Sequence, residues 1–224
     1  MDTRKHLVDI GCVLEGEFFF ALKSGRIATT YVNIDPLLTR PAMLNMVAKS
    51  MAASLVLSSA ISPPRVVAGP AVGAIPLVYA ASAQHYHFCR KCFVEDSNHL
   101  YTVFTEKNGD NFILDRLGFK QTVNGRKVWV VEDIATTGQS AKKTAEEIEA
   151  AGGIVVAYSF IWNRDPNKVN AKTMGAPVLS LIEEPIDSYV ATEHPMWGTW
   201  PLVADIGHSD KFPDYPGPRI KLIS

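Results

Sequence analysis

The chain has 224 residues, 47% apolar and 20% charged, which suits one large domain with a sizeable core. Its 22 Lys and Arg against 23 Asp and Glu leave a formal net charge of −1, so it has no electrostatic footprint for nucleic acid or a membrane surface, and an anionic ligand must be held by a local site. No segment approaches the ~18 uninterrupted apolar residues of a membrane span, and three cysteines in a chain this long point to a reducing cytoplasm rather than a disulfide scaffold.

The N-terminal stretch MDTRKHLVDIGCVLEGEFFF has a charged start but no long apolar core and no small-residue cleavage pattern, so it reads as mature protein. EFFFALKSGRIATTYVNI reads as a strand or hairpin turning at Ser24-Gly25. TRPAMLNMVAKSMAASLVLSS reads as one helix with Pro41 in its first turn. From Arg65 a pattern recurs: apolar strand, glycine-bearing loop, helix. RVVAG leads through PAVGA into IPLVYAASAQ. KVWVV leads through EDIATTGQS into AKKTAEEIEAAGG, where Ala141, Ala145 and Ile148 recur every three to four residues and Gly152-Gly153 suits a cap. IVVAYSFIW is a third apolar run. Strands apolar on both faces, alternating with helices, predict an α/β fold with a mostly parallel, twisted sheet and helices on both faces. The tail after Gly175, rich in Pro, Trp and His, reads as a packed cap with aromatic anchors in preference to a metal site.

Between the second helix and the next strand lies QHYHFCRKCFVE, in which His85, His87, Cys89 and Cys92 form H-x-H-x-C-x-x-C. Four such ligands in eight positions could bind zinc. Strand alternation would place His85, His87 and Cys89 on one face, with Cys92 reaching them by a bend. The alternative is an ordinary added strand or hairpin with incidental thiols.

The stretch KVWVVEDIATTGQS carries the chemistry. Ligands of an open parallel sheet bind beyond the carboxyl ends of its strands, and Glu132 and Asp133 stand at such an end. The following ATTGQSA is small and hydroxyl-rich and runs into a helix N-terminus, where backbone N–H groups and the helix dipole favour an anion of phosphate size. Acids repel phosphate but accept hydrogen bonds from sugar hydroxyls. The pairing therefore suggests a phosphorylated sugar, with Asp133 as a mere helix or loop cap the competing reading. The loop lacks the lysine of GxxxxGK[ST], and GxGxxG is absent.

VWVVEDIATTGQS resembles the phosphoribosyl-diphosphate (PRPP) motif of type I phosphoribosyltransferases. FALKSGRIATTYVNID and VVAGPAVGAIPL are similar to the corresponding segments of orotate phosphoribosyltransferases in the same order, and FIWNRD resembles a strand end of that family, with Asn163-Arg164 in place of its Asp-Arg. The likeness runs from about Val13 to Arg164. It implies one domain over 1–224, with 1–40 and 176–224 as hood and tail elements and 85–100 as an insertion. It also implies that Glu132 and Asp133 hold the ribose hydroxyls of PRPP, with Asp133 counted in the catalytic set. The loop Ala135, Thr136, Thr137, Gly138, Gln139 and Ser140 would take the 5-phosphate. Pro70 and Ala71, in the Gly69–Gly73 loop, would meet the pyrophosphate. Lys23, Lys107 and Arg116 would be the catalytic cations. Tyr31 would stack on the base, Val32 being unable to, and Arg164 would hold an oxygen of orotate. Asp115 beside Arg116, where relatives carry a second arginine, would weaken pyrophosphate binding. The resemblance further implies Mg²⁺ as cofactor, PRPP and orotate as substrates, and a homodimer. A phosphoribosyltransferase for another base, or a non-catalytic PRPP- or nucleotide-binding relative, stands as the alternative.

Overall fold

The computed structural model describes residues 2–89 and 100–222, and the chain divides into two units: Asp2–Pro36 with the segment from Ile186 onward, and Leu37–Pro185. In the first of these, α1 (Thr3–Asp9) starts on the Asp2 carboxylate, which accepts the Lys5 amide at 3.0 Å. β1 (Val13–Ala21) and β2 (Ile27–Val32) then form the antiparallel hairpin expected around Ser24-Gly25.

The segment α2 (Asp35–Leu38) precedes α3 (Pro41–Leu57), with Pro41 in its first turn as expected. Next come β3 (Val66–Pro70), α4 (Ala74–Cys89), β4 (Tyr101–Asn108), β5 (Asn111–Ile113), α5 (Phe119–Val123) and β6 (Lys127–Ala135). They are followed by α6 (Gln139–Ala150), β7 (Ile154–Asn163), α7 (Ala171–Met174) and β8 (Val178–Glu183). The strands form one sheet in the order β5-β4-β3-β6-β7-β8, parallel throughout except for β5. Helices pack on both of its sides, so β3 is buried along its whole length and β6 over Val128–Glu132. This is the α/β architecture read from the alternating apolar runs.

Trp129 and Trp162 are among the largest fully buried side chains. Each indole is satisfied: Trp129 Nε1 donates to Ser159 Oγ at 2.8 Å and Trp162 Nε1 to the Glu184 carbonyl at 2.9 Å. The buried face of α6 is Ala141, Thr144, Ala145 and Ile148, and Thr144 exchanges a 2.7 Å hydrogen bond with Thr105 of β4.

Two boundaries differ from the sequence reading. Val178–Glu183 joins the main sheet beside β7, in register Phe160↔Ser180, so the large unit continues to Pro185 rather than ending at 175. The segment 85–100 is not one insertion from its start, because α4 runs unbroken through Cys89; its remainder falls mostly outside the described residues.

β9 (Leu202–Gly207) and β10 (Arg219–Ile220) complete the second sheet, order β10-β9-β1-β2. The tail is packed by aromatic residues. Phe19 meets His194, Trp197 and Trp200, and Tyr215 lies 4.6 Å from Trp197. His194 Nδ1 accepts the Met196 amide at 3.2 Å, so this imidazole is a packing element.

Candidate active site

The adjacent strands β3 and β6 carry two loops at their carboxyl ends. The β3 loop is held against its neighbours. Ala71 N–H donates to the Thr105 carbonyl at 2.7 Å, and Gly69 is required at the strand end because a Cβ there would stand 2.5 Å from the Val131 carbonyl oxygen. The Ala71–Val72 peptide is cis. Pro70 is buried and Ala71 partly so, whereas Val72 and Gly73 are exposed. A Cβ on Gly73 would come 3.8 Å from Asp133 Oδ2, so the β3 loop and the Asp133 carboxylate are neighbours. The sequence placed Pro70 and Ala71 in a Gly69–Gly73 loop, and it is the far glycine of that loop, Gly73, that lies beside the Asp133 carboxylate.

At the end of β6 the two acids part. Glu132 is 8% exposed. Its carboxylate is hydrogen-bonded by the Ser140 hydroxyl and the Ala141 amide at the start of α6, yet burial, with the adjacent Asp133 charge, pushes its pKa up to about 8. Asp133 is only half-buried, and its Oδ1 accepts the Ile134 amide at 2.7 Å. The hold on the start of α6 that the competing reading gave to Asp133 is made by Glu132, the residue before it.

The loop that follows has Ala135 buried and Thr136, Thr137 and Gln139 exposed. Gly138 is the N-cap of α6 with φ +67°, and a Cβ there would approach Met174 Sδ to 3.0 Å. Both the left-handed backbone and the close floor call for glycine. The result is an exposed, hydroxyl-lined turn entering the N-terminus of a twelve-residue helix, a geometry suited to a phosphate-sized anion.

Arg164 follows β7 directly, and its N–H donates to the Ala135 carbonyl at 2.8 Å. The end of β7 is fixed by Asn163, fully buried, whose Nδ2 donates to the Val169 carbonyl at 2.8 Å. Lys168, by hydrogen bond and charge, holds the partly exposed Asp165 carboxyl below its usual range. The acid pair, the anion loop and Arg164 are therefore gathered at one edge of the large unit.

The cations lie on the β4–β5 hairpin and just beyond it. Lys107 is exposed opposite Phe112. Arg116 is engaged by Glu106 Oε1 at 2.6 Å and lies over the Phe104 ring at 5.1 Å. Asp115 has a counter-charge in Lys120 at 3.8 Å. Glu106 escaped the sequence reading, since only the hairpin register brings it near a residue ten positions on.

In the smaller unit, Lys23 is exposed at the hairpin turn. The Tyr31 ring packs on Phe20 at 5.2 Å, and Val32 is buried. Val32 is thus a core position, which explains an aliphatic residue there. Arg26 donates to Ser188 Oγ at 3.0 Å and to the Ser188 carbonyl, tying the hairpin to the tail.

The zinc geometry expected from strand alternation does not form. His85, His87 and Cys89 lie on α4, where a 3.6-residue period replaces the period of two. His85 and Cys89 fall on its buried face one turn apart, and His87 is exposed. Cys92 lies outside the described residues, and among the described residues no three His, Cys, Asp or Glu side chains are grouped to hold a metal. No described helix is long and apolar enough to cross a membrane.

The chain matches no protein-family model. It is 32% identical over 190 residues to the orotate phosphoribosyltransferase of Caldicellulosiruptor saccharolyticus, covering 85% of this chain and 87% of the relative. It is 31% identical over 186 residues to that of Methanothermobacter thermautotrophicus, covering 81% and 92%. Among solved structures, the orotate phosphoribosyltransferase of Aeropyrum pernix superposes with a TM-score of 0.59 at 21% identity, over 81% of this chain and 93% of that one. That of Mycobacterium tuberculosis gives 0.58 at 20%, over 81% and 96%. With the fold shared and the relatedness spanning most of both chains, this chain belongs to the orotate phosphoribosyltransferase family.

Proposed function

We propose that this chain transfers the phosphoribosyl group of PRPP to orotate, giving orotidine 5′-phosphate and pyrophosphate, in the cytoplasm as part of pyrimidine nucleotide synthesis. The observation that carries the reading is the half-exposed Asp133 between two anion-suited loops, Gly69–Gly73 on one side and Thr136–Ser140 on the other. It stands on a chain related over most of its length to enzymes named for this reaction.

The roles follow from chemistry. Asp133 accepts hydrogen bonds from the ribose hydroxyls. Glu132, already engaged by Ser140 and Ala141, acts mainly by holding the anion loop to the strand end. Ala135 and the backbone and hydroxyls from Thr136 to Ser140 seat the 5-phosphate, and the Pro70-Ala71 backbone meets the pyrophosphate. As the C–O bond to pyrophosphate lengthens, the anomeric carbon gains positive character and the leaving group gains negative charge. Lys107, Arg116 and Lys23 offset the latter. Arg164 pairs with an orotate oxygen and Tyr31 stacks on its ring. Orotate supplies its own acidity, so no strong general base and no covalent enzyme nucleophile is called for. Mg²⁺ fits as a companion of the pyrophosphate: Asp133 is a hard oxygen donor beside the β3 loop, and such an ion keeps waters and phosphate oxygens as its other ligands.

We further propose a homodimer. The outer faces of α3 and α4 leave Met46, Tyr79 and Tyr86 more than 40% exposed, and helices this apolar call for a cover; sedimentation should give twice the 24.6 kDa chain mass.

An assay of orotate consumption with PRPP and Mg²⁺ tests the function. Turnover by the wild type supports it, and tight PRPP binding with no turnover on orotate defeats it. A panel of purine and pyrimidine bases reads the base preference.

A further inference from the structure

α6 lies across the sheet rather than along one strand. It leaves the end of β6, passes over β3 and reaches the β4–β5 hairpin. Its start is fixed at β6 by Glu132, through the Ser140 hydroxyl and the Ala141 amide. A helix held only at its start can still swing about that point. Thr144 stands six residues beyond the N-cap Gly138, about 9 Å along the axis at the usual helical rise. There the helix has a second tie, the 2.7 Å hydrogen bond between the Thr144 and Thr105 hydroxyls. The neighbouring Lys143 Nζ donates to the Asp110 carbonyl in the β4–β5 turn, but that contact is exposed to solvent.

Both threonines are 0% exposed. A threonine inside a helix commonly bonds back to the carbonyl one turn earlier, whereas Thr144 bonds across to another element. Each hydroxyl can donate and accept, so each finds its partner in the other. Two valines would fill the same space, and replacing both partners of a buried hydrogen bond by apolar groups of the same shape can be nearly neutral for stability. What valines cannot supply is direction. A hydrogen bond fixes a distance and an angle, while apolar contact leaves a helix free to slide.

Thr105 also reaches the other loop. It stands opposite Pro70 in the parallel β3–β4 ladder, and its carbonyl accepts the Ala71 amide at 2.7 Å. One residue thus holds the β3 loop through its backbone and α6 through its side chain. Building on the transferase reading, we infer that Thr105 is a positioning residue, with Thr144 its counterpart, and that the pair sets the spacing between the loop proposed for the pyrophosphate and the turn proposed for the 5-phosphate. PRPP carries both groups on one sugar, so their separation is covalently limited. Two linked groups bind far more tightly than either alone only when the seats match their span, and a misplacement of ~1 Å in a positioned site can cost ~100-fold.

The test titrates the full chain by calorimetry with PRPP, with ribose 5-phosphate and with pyrophosphate, each in the presence of Mg²⁺. The double variant Thr105→Val, Thr144→Val removes both hydroxyls at nearly constant volume and keeps the backbone carbonyl at position 105. It should bind each half-molecule within about twofold of the wild type but PRPP about tenfold more weakly, the signature of linked groups meeting mismatched seats. Thr105→Ser, which keeps the hydroxyl, should bind PRPP as the wild type does. A double variant that binds PRPP as tightly as the wild type, or that loses the two half-molecules in step with PRPP, would overturn the inference, as would weakened PRPP binding by Thr105→Ser. Failure of the wild type itself to bind PRPP would strike the transferase reading, and this inference with it. Should the double variant fail to fold, Thr144→Ala, which removes one hydroxyl at a helical position that favours alanine, takes the same three titrations with the same outcomes.

Discussion

The turn after β6 and the β4–β5 hairpin carry charges toward the same proposed chemistry, but they are held in opposite ways. The β6 turn is fixed from beneath: Glu132 grips the start of α6, Gly138 sits on Met174, and Arg164 N–H closes onto the Ala135 carbonyl. The hairpin side is held by ion pairs in solvent, Arg116 to Glu106 and Asp115 to Lys120, with every partner at least 40% exposed. Buried, hydrogen-bonded groups keep one geometry, while exposed pairs of this kind contribute only ~0.2–1 kcal/mol each. The side proposed for the sugar-phosphate is thus prebuilt, and the side proposed for the leaving group is adjustable.

Four experiments would break or sharpen this contrast. The largest effect is expected for Asp133→Asn, which replaces a charged acceptor by an amide and should lower orotate turnover about 10–100-fold, since one charged hydrogen bond is worth ~1.5–3 kcal/mol; unchanged kcat/KM would remove Asp133 from the site. Gly138→Ala should lower unfolding free energy by about 1–2 kcal/mol, the cost of a Cβ in a left-handed backbone, and raise the KM for PRPP, as urea melts and initial rates would report.

Glu132→Gln should behave quite differently from Asp133→Asn, because glutamine still accepts from Ser140 and Ala141. The folded pKa of Glu132, pushed up to about 8, lies above its unfolded value near 4.5. The unfolded chain therefore releases this proton first, and the wild type loses stability as pH rises from about 4.5 to 8. The variant lacks that slope, so its melting temperature should gain on the wild type between pH 5 and pH 8; a constant gap would show that Glu132 is not buried as described. The smallest effect belongs to Glu106→Gln: under ~1 kcal/mol of stability, with a change in the KM for pyrophosphate in the reverse reaction as Arg116 is released. A cooperative loss of fold in that variant would mean the hairpin side is as rigid as the β6 turn.

The sheet was legible because its strands are apolar on both faces, and β3, β6 and β7 emerge where RVVAG, KVWVV and IVVAYSFIW stand. The candidate loop stood out for a related reason, since two acids ending an apolar run are unusual, and the structure adds that one of them, Glu132, holds the start of α6. What escaped was tertiary. Nothing local in VLSLIE distinguishes a strand of the main sheet from one of a separate tail, and only pairing with β7 decides it. The sequence made Glu132 and Asp133 equivalent, but the pleat sends neighbouring side chains to opposite faces, one toward α6 and one toward the β3 loop. HYHFC was read with a period of two, yet no glycine or proline interrupts α4 after Gln84 and the helix simply continues.

The hydrogen bond from Arg164 N–H to the Ala135 carbonyl joins the residue proposed for the base to the first residue of the turn proposed for the phosphate. Moving that strand end to suit a bulkier base would drag the phosphate seat along with it. Selectivity on this scaffold must therefore be retuned by exchanging side chains on an unmoved frame, which makes point substitution at position 164 a better engineering route than loop grafting.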